Sequence, residues 1–402
     1  MTHTEVNPTG IRDYNRHRVL TAFDGAVALS RSDIQSRTGL SRTTVADIVA
    51  DLIADGTLVT PEHVVHHSDT RGRPPELLAR ATPDGYGIGI DIGHERLQVK
   101  ICDLSGHVVA SRVRKIGMDA SAKESVDIAA ILARELMLQV GIDNSHCQAV
   151  CAIPEPIGHS GLISRTSIQS RWHNTNPSNL LSDALGFPVH AENDTNLAIV
   201  GESIFGTGRS ADNMLYVKIA HGVGLGIMLN GDLIRGATGL AGEIGHNIAR
   251  PGGIVCLCGN RGCLYTLTTS EFLTSSLHTA THNPNLTHDD LVELGKQGHP
   301  GAGRVLRDAG REVGRILANL CNTLNPELVI VGGSLTRAGD WTLIGLQEEM
   351  EDYTEREVLS SLQIVGSYLG ESAEIYGALA MAIGVIDSNS GKRVARDLPS
   401  AR

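Results

Sequence analysis

The chain has 402 residues and a formal net charge of −11, and 41% of its residues are hydrophobic and 20% charged. This is ordinary globular composition with room for two or three domains, and the acidic charge argues against a protein coated in nucleic acid. The sequence contains neither a run of roughly 20 apolar residues nor the apolar core of a signal peptide. We therefore expect a cytoplasmic protein that does not associate with membranes.

The charge is unevenly distributed along the chain. Residues 1–80 contain nine arginines and ten acidic residues, so most of the negative charge belongs to the remainder. A nearly neutral head on an acidic body permits DNA contact at the head. The segment 14–59 predicts three helices, of which the first has Val19, Leu20 and Phe23 at helical spacing.

The second and third predicted helices are separated only by residues 39–40, as in a helix-turn-helix. Ser30 is the expected N-cap of the second helix, with Asp33 three residues later. Ser41 is the expected N-cap of the third helix, which closes at Gly56. An apolar stripe follows one side of this third helix: Val45, Ile48, Val49, Leu52 and Ile53.

A helix-turn-helix places the N-terminal residues of its third helix in the major groove of DNA. The residues so placed offer hydroxyls and a guanidinium to phosphates and base edges: Ser41, Arg42, Thr43 and Thr44. Arg71 and Arg73 lie on a basic tip between two strand-like runs, suited to the minor groove. Residues 1–80 are therefore predicted to be a winged helix-turn-helix domain that binds double-stranded DNA. The alternative is a three-helix protein-interaction bundle, with both arginines merely solvating a loop.

From Gly85 onward, strands alternate with helices in two similar halves. This order predicts an α/β body of two lobes with a cleft between them. The first lobe is expected to span 81–200 and the second 201–370, with a helix at about 371–386 packing back onto the first. The polar residues 387–402 are expected to form a disordered tail.

Three of the seven cysteines and one histidine fall within the stretch HNIARPGGIVCLCGNRGC. The set favours Zn²⁺, which thiolates and imidazole bind well: His246, Cys256, Cys258 and Cys263. Four protein ligands fill a tetrahedral shell and leave no position for an activated water, so the zinc would be structural. The alternative is three reduced cysteines on a flexible loop.

The stretch IAHGVGLGIMLNGDLIRGATGLAGEIGH, followed by CLCGNRGC, resembles the signature of the ROK family of sugar kinases and sugar-responsive repressors. The resemblance covers roughly residues 85–385, and the predicted head is similar to that of the family's transcriptional regulators. It implies an actin-like, two-lobed ATPase fold with a sugar in the cleft and zinc at the cysteine cluster. It also implies a homo-oligomer, usually a dimer or a tetramer.

The resemblance further implies a set of sugar-binding residues: Asn193, Asp194, Glu243 and His246. In the family's kinases, the residue that matches Asp194 deprotonates the attacking hydroxyl. A zinc-bound His246 would present its second nitrogen to the sugar with a fixed tautomer. Without the family, Asn193 and Asp194 fit a helix cap after a strand equally well.

The two turns that would hold ATP phosphates depart from the pattern of the family's kinases. The first turn has small residues there but reads Asp91-Ile92-Gly93-His94-Glu95-Arg96 here, with the Glu95 carboxylate where phosphate would lie. The second turn, at residues 221–226, keeps its glycines but lacks the usual Thr. Because phosphoryl transfer depends on positioning and charge neutralisation, we predict a sensor without enzymatic activity.

Two further departures concern the sugar itself. Tyr265 stands where the family has Glu, and Glu155 stands where it commonly has Gly, so we expect an altered sugar preference. The favoured interpretation is a dimeric, sugar-responsive transcriptional regulator, most often a repressor, acting at a DNA operator. The alternatives are an ATP-dependent sugar kinase with a DNA-binding head and a DNA-binding regulator whose cleft no longer binds sugar.

Overall fold

The computed structural model describes residues 15–16, 18–19, 22–23, 29–54, 58–59, 77–80, 85–117, 120–144, 147–163 and 170–393. The chain divides into two compact units. One comprises Met1–Gly85, Leu104–His107 and Arg396–Arg402, and the other comprises Tyr86–Asp103 and Val108–Ala395. The domain limits drawn from the sequence, at 80, 200 and 370, stay predictions.

In the N-terminal unit, helical backbone at residues 15–16 and 18–19 precedes two helices and three short strands. Their bounds are β1 Leu29–Ser30, α1 Arg31–Thr38, α2 Arg42–Ala54, β2 Leu58–Val59 and β3 Leu77–Arg80. The strands form an antiparallel sheet in the order β1–β3–β2. Gly56, Arg71 and Arg73 lie outside the residues that the structure describes.

The first of these helices has the ends that its sequence predicts. The Ser30 hydroxyl accepts a hydrogen bond from the backbone N–H of Asp33 at 3.2 Å, and the Asp33 carboxylate accepts one from the Ser30 N–H at 2.9 Å. This reciprocal capping box satisfies two donors that a helix start leaves free. The helix ends at Gly39, whose φ of +67° lies in the left-handed region that glycine adopts without strain.

The apolar stripe of α2 faces a small core, with one exception. Val45, Ile48, Val49 and Leu52 are buried, whereas Ile53 is 38% exposed, so its assignment to the buried stripe is wrong. The position lies one residue past Leu52, at the edge of the face that Val45 and Val49 define, and therefore turns towards solvent. The rest of the core comes from β1, α1, β2, β3 and the preceding segment: Val19, Ala22, Phe23, Leu29, Ile34, Leu58 and Leu78.

The first lobe of the body is built on a five-stranded sheet in the order β6–β5–β4–β7–β8. The bounds are β4 Tyr86–Ile92, β5 Arg96–Asp103, β6 Val108–Lys115, β7 Cys147–Ile153 and β8 Val189–Asn193. Strands β4 to β6 pair antiparallel, while β7 and β8 join β4 in parallel. The accompanying helices are α3 Ala122–Val140, α4 Pro177–Leu185 and α5 Asp194–Phe205.

The second lobe repeats this arrangement with the order β11–β10–β9–β12–β13. The bounds are β9 Met214–Ile219, β10 Val223–Leu229, β11 Asp232–Leu233, β12 Leu328–Gly332 and β13 Gln363–Gly366. Its helices are α6 Tyr265–Thr268, α7 Ser270–Ser275, α8 His278–Thr281, α9 His288–Lys296, α10 Pro300–Leu324, α11 Trp341–Tyr353 and α12 Arg356–Ser361. Three antiparallel strands followed by two parallel ones in each lobe confirm the predicted two-lobed α/β fold.

The last helix, α13 Ala373–Ala382, packs against α5 and the strands of the first lobe, as the sequence predicts. The two helices approach closely because glycines face each other's backbone: Gly377 lies over the carbonyl of Leu197 and Gly201 over that of Ala373. A Cβ at either position would collide with the carbonyl oxygen opposite. This contact fixes the start of α5, where two of the predicted sugar-binding residues lie.

The segment after α13 differs from the prediction of a disordered tail that begins at residue 387. Residues 387–393 form a turn in which the Asp387 N–H donates to the carbonyl of Lys392 at 2.9 Å. The Leu233 N–H also donates to the carbonyl of Gly391 at 3.0 Å, so the turn is held by strand β11. Backbone hydrogen bonds order this polar segment although it has little apolar surface to bury. Residues 394–402 lie outside the described residues.

Among the helices that the structure describes, none combines the length and the apolar character that crossing a membrane requires.

Candidate functional site

The histidine and cysteines of the predicted zinc site converge on one point. We call His246, Cys256, Cys258 and Cys263 the zinc cluster; their ligand atoms all lie within 4.8 Å of one another. The Cys256 sulfur is 3.6 Å from His246 Nδ1, and the sulfurs of Cys258 and Cys263 are 3.7 Å apart. Zn–S bonds of about 2.3 Å at tetrahedral angles would separate two sulfurs by about 3.8 Å, so donor type and spacing fit this metal.

Backbone geometry brings the cysteines together. Gly259 and Gly262 have φ of +89° and +73°, which only glycine adopts readily, and a Cβ on Gly262 would collide with the carbonyl of Arg250. A narrow antiparallel bridge links Val255 and Arg261, and the Cys256 N–H donates to the carbonyl of Asn260 at 2.8 Å. The loop therefore reverses direction within a few residues and returns Cys263 to Cys258.

This loop has little apolar burial of its own. The two cysteines Cys256 and Cys263 are buried, but the large apolar side chains around them are half exposed: Ile248, Ile254, Val255 and Leu257. A segment with so little buried apolar surface can be held in one conformation by a metal ion that cross-links its ligating side chains.

Asn193 and Asp194 stand at the junction of β8 and α5, close to the edge where the two lobes meet. Asn193 is the N-cap: its side-chain oxygen accepts from the N–H groups of Thr195 at 2.9 Å and Asn196 at 3.1 Å. Its side-chain nitrogen donates to the backbone carbonyl of Glu155 at 3.1 Å. Asn193 therefore caps the helix, which was the alternative drawn from the sequence. A contact between Asn193 and a sugar stays a prediction.

The Asp194 carboxylate is buried and paired with a lysine that the sequence analysis did not single out. Lys218 Nζ, on strand β9 of the second lobe, lies 2.7 Å from Asp194 and 2.6 Å from Glu374 at the start of α13. Burial acts to lower the pKa of Lys218, but the two carboxylates outweigh it and hold this pKa above its ordinary value. The only signal in the sequence was one charged residue inside the apolar strand MLYVKI.

Glu243 shares an electrostatic environment with Asp194. Burial and, secondarily, the neighbouring carboxylates of Asp194 and Glu155 together raise the pKa of Glu243 to about 7. Glu243 immediately precedes the short helical turn Ile244–His246, so the zinc cluster and this carboxylate belong to one turn. The structure thus groups Asn193, Asp194 and Glu243, and ties His246 to the same turn as Glu243.

Asp91 is the last but one residue of β4, the first strand of the body, beside the predicted phosphate turn. Its pKa is raised to about 7 because the side chain is buried and, secondarily, because Glu374 is near. Gln98 Nε2 donates to its carboxylate at 3.0 Å. The Glu95 side chain, expected to repel phosphate, is exposed beside His221, to which it contributes a negative potential.

Packing against a neighbouring helix explains why the second predicted phosphate turn contains glycines. A Cβ on Gly224 would lie 2.7 Å from the Thr195 hydroxyl, and one on Gly226 would lie 2.8 Å from the Thr195 carbonyl. These glycines let strand β10 approach the start of α5. Their presence is therefore not evidence for phosphate binding.

The predicted DNA-contacting residues lie at the start of α2. The Ser41 hydroxyl accepts from the Thr44 N–H at 3.1 Å and lies 2.8 Å from the Thr44 hydroxyl, so Ser41 serves as the helix cap. Arg42 and Thr43 are exposed. Arg71 and Arg73 lie outside the described residues, so their placement on a wing stays a prediction.

Comparisons with known proteins identify relatives over the whole body and over the head. The model of the ROK family matches residues 87–385. The xylose repressor of Bacillus subtilis (strain 168) is 28% identical over 383 residues, which cover 93% of this chain and 96% of the repressor.

Two solved structures share the fold. A ROK family transcriptional regulator, described as a homologue of the E. coli Mlc protein, matches with a TM-score of 0.70 at 23% identity and covers 94% of this chain and 98% of its own. A ROK family glucokinase from Streptomyces griseus, solved with glucose and AMPPNP, matches with a TM-score of 0.65 at 25% identity. That match covers 74% of this chain and 99% of the kinase.

Proposed function

The chain belongs to the ROK family, and from that premise we propose that it is a cytoplasmic, DNA-binding transcriptional repressor of carbohydrate metabolism. A sugar or sugar derivative bound between the lobes of the body would modulate its DNA affinity. The observation that carries this proposal is the extent of similarity. The match to the xylose repressor covers 93% of this chain. The match to the glucokinase covers nearly the whole kinase, 99%, but only 74% of this chain. The ROK family model itself matches only residues 87–385, which leaves the predicted DNA-binding head outside it.

The head would bind DNA by the start of α2. Exposed Arg42 and Thr43 at a helix N-terminus suit a guanidinium contact to a base edge and a hydroxyl contact to phosphate. Arg71 and Arg73 would add minor-groove contacts from the wing. A dimer or tetramer would present paired heads to two half-sites of an operator, which a single nearly neutral head would bind weakly.

The zinc cluster would hold one structural Zn²⁺. The convergence of three sulfurs and an imidazole supports this assignment, and the ion would supply a cross-link that fixes the loop. His246 Nδ1 lies on the cysteine side, at 3.6 Å from Cys256, which leaves Nε2 as the nitrogen for a sugar hydroxyl. Asn193, Asp194 and Glu243 would complete the sugar site.

We assign no kinase activity to this site, because the group that would act as the base is already engaged. Asp194 already accepts a charge-assisted hydrogen bond from Lys218 at 2.7 Å, so its carboxylate is occupied by a partner within the protein. The sugar would instead act by preferring one arrangement of the lobes, since a ligand shifts an equilibrium only through different affinities for its two states.

The decisive experiment is an electrophoretic mobility shift of the full, zinc-loaded chain on its own upstream DNA, with and without a panel of monosaccharides. We expect a sequence-specific shift that one sugar weakens. Absence of a specific shift under every condition contradicts the proposal. A specific shift that no sugar changes, together with no heat of sugar binding in calorimetry, would instead favour a regulator with a degenerate cleft.

The second candidate function is a sugar kinase with a DNA-binding head, favoured by the match to the glucokinase and by the position of Asp194 at the start of α5. A coupled assay of ADP release over a hexose panel tests it. Sugar-dependent turnover that Asp194→Asn abolishes would establish the kinase and overturn the sensor.

A further inference from the structure

Three histidines from distant parts of the body lie against one another between the lobes. His94 follows β4 of the first lobe, His221 follows β9 of the second, and His288 begins α9. The ring centroids of His94 and His221 are 5.0 Å apart in an edge-on arrangement, and those of His221 and His288 are 4.3 Å apart and stacked. We call these three side chains the histidine stack.

Two serines hold the histidine stack in place. The Ser270 hydroxyl lies 2.6 Å from His288 Nδ1 and 3.3 Å from His221 Nδ1. His288 Nε2 lies 2.7 Å from the hydroxyl of Ser334, the residue that follows Gly332 and Gly333 at the end of β12. The histidine stack therefore joins the turns after β4 and β9, which are the two turns compared with the phosphate turns of the family's kinases, to the turn after β12.

The rings of the histidine stack are uncharged at neutral pH. Burial and, secondarily, the adjacent His221 together lower the pKa of both His94 and His288 to about 4. Burial also lowers the pKa of His221. Neutral imidazoles supply no positive charge to balance the oxygens of a phosphate.

The histidine stack does not have the geometry of a metal site. Within the part of the chain that the structure describes, the zinc cluster is the only group of three or more His, Cys, Asp or Glu side chains placed so that they could hold a metal ion. The rings of the histidine stack lie face to face or edge to face, and both nitrogens of His288 contact serine hydroxyls. Stacked rings fill space, whereas ligating rings must direct their nitrogens to one point.

We propose that the histidine stack occupies the space where the glycine turns would otherwise receive a polyphosphate, and that His94 and His221 are the residues that exclude nucleotides. Phosphate binding needs converging backbone N–H groups, hydroxyls and positive charge. Here two bulky neutral rings stand at the turns, and the exposed Glu95 carboxylate beside His221 adds a negative charge. Exclusion of nucleotides by these two rings rests on the proposed function and would account for the lack of kinase activity that it includes.

The test is isothermal titration of the full, zinc-loaded chain with magnesium AMPPNP, comparing wild type with the double variant His94→Thr/His221→Thr. The variant removes both rings and adds hydroxyls at both turns. We expect no measurable binding by wild type at millimolar nucleotide, and binding by the variant with an association constant about tenfold or more above the detection limit of the titration. The matched control, His107→Thr/His278→Thr, makes the same change outside the histidine stack and is expected to bind no nucleotide.

Two results would overturn the inference. One is wild-type binding of the nucleotide as tight as that of the double variant. The other is a double variant with an unchanged circular dichroism spectrum and full zinc content that still binds none, because the exclusion would then lie elsewhere. If the double variant does not fold, the single variants His94→Thr and His221→Thr are each expected to show part of the gain, and neither showing any gain contradicts the inference. Since the titration contains no DNA and no sugar, its outcome is independent of the mobility shift.

Discussion

The body of the chain contains two histidine-bearing clusters whose chemistry differs. In the zinc cluster, ligand atoms from four residues within one loop lie within 4.8 Å of one another. In the histidine stack, three rings from three separate turns lie 4.3 to 5.0 Å apart, centroid to centroid, and the nitrogens of His288 contact serines. Both clusters are compact, but only the first directs its donors to a common point.

This difference shows that the direction of donor atoms, rather than the residue type, decides what a cluster binds. A left-handed glycine turn folds the zinc loop so that Cys263 returns to Cys258. No local turn joins His94, His221 and His288; tertiary packing brings them together, with one pair edge-on and the other stacked. The first arrangement suits a metal ion, whereas the second directs no set of donors to a common point.

The largest effect is expected from removing a zinc ligand. Cys263→Ser replaces a fully buried thiolate by a weaker ligand, so we expect the zinc content to fall from about one ion per chain to near zero. Because the loop buries little apolar surface, the melting temperature should fall as well. Elemental analysis and calorimetric melting measure the two quantities.

Cys147→Ser is the matched control, because Cys147 is half buried and distant from the zinc cluster in sequence. It should keep both the zinc and the melting temperature of wild type. Wild-type protein purified without chelator that contains no zinc would contradict the structural metal. The comparison between the two clusters would then lose its basis.

A smaller effect is expected from replacing His288, the histidine of the stack that contacts both Ser270 and Ser334. His288→Ala leaves the hydroxyls of Ser270 and Ser334 without their ring partner and removes the stacking on His221, at a cost of about 1–3 kcal/mol in the free energy of unfolding. His288→Phe keeps a stacking ring but loses the hydrogen bonds, so its cost should be smaller. Urea unfolding of both variants measures the difference.

The zinc content of the two His288 variants should differ from that of Cys263→Ser. Both should keep about one zinc per chain, because no residue of the histidine stack belongs to the zinc cluster. Loss of zinc from His288→Ala would mean that the two clusters depend on each other. Equal destabilisation by Ala and Phe would assign the whole effect to the hydrogen bonds.

The sequence allowed the zinc cluster to be predicted, but not the histidine stack. His246 and the three cysteines lie within eighteen residues, so their proximity in space follows from a local turn. The two-lobed fold followed similarly from the alternation of strands and helices. His94, His221 and His288 are separated by dozens of residues, and each is unremarkable in its own segment. Lys218 gave a weak signal, and its pairing with Asp194 and Glu374 depends on tertiary packing that no local pattern encodes.

The smallest predicted effect is a pH dependence carried by the histidine stack. The folded-state pKa of His94 is about 4, below the ordinary value of 6.5, because the ring is buried. Between pH 6.5 and 4 the unfolded chain therefore binds a proton that the folded chain does not. The stabilisation is complete above pH 6.5 and is lost as the pH falls towards 4. Relative to His94→Asn, wild type should lose about 2 kcal/mol in the free energy of unfolding from pH 6.5 to 5.

The comparison with His94→Asn is necessary because buried carboxyls act in the opposite direction. The pKa values of Asp91 and Glu243 are raised to about 7, so these groups contribute stability at low pH that is lost as the pH rises through 7. Wild type and variant share both carboxyls, so the difference between their unfolding curves removes the carboxyl contribution and leaves that of the His94 ring with its coupling to His221 and His288. NMR titration of the His94 ring, assigned by its absence from the variant, gives the pKa directly. A value near 6.5, with a flat difference curve, would mean that the ring is charged on entering mildly acid solution, and that the neutral histidine stack does not persist there.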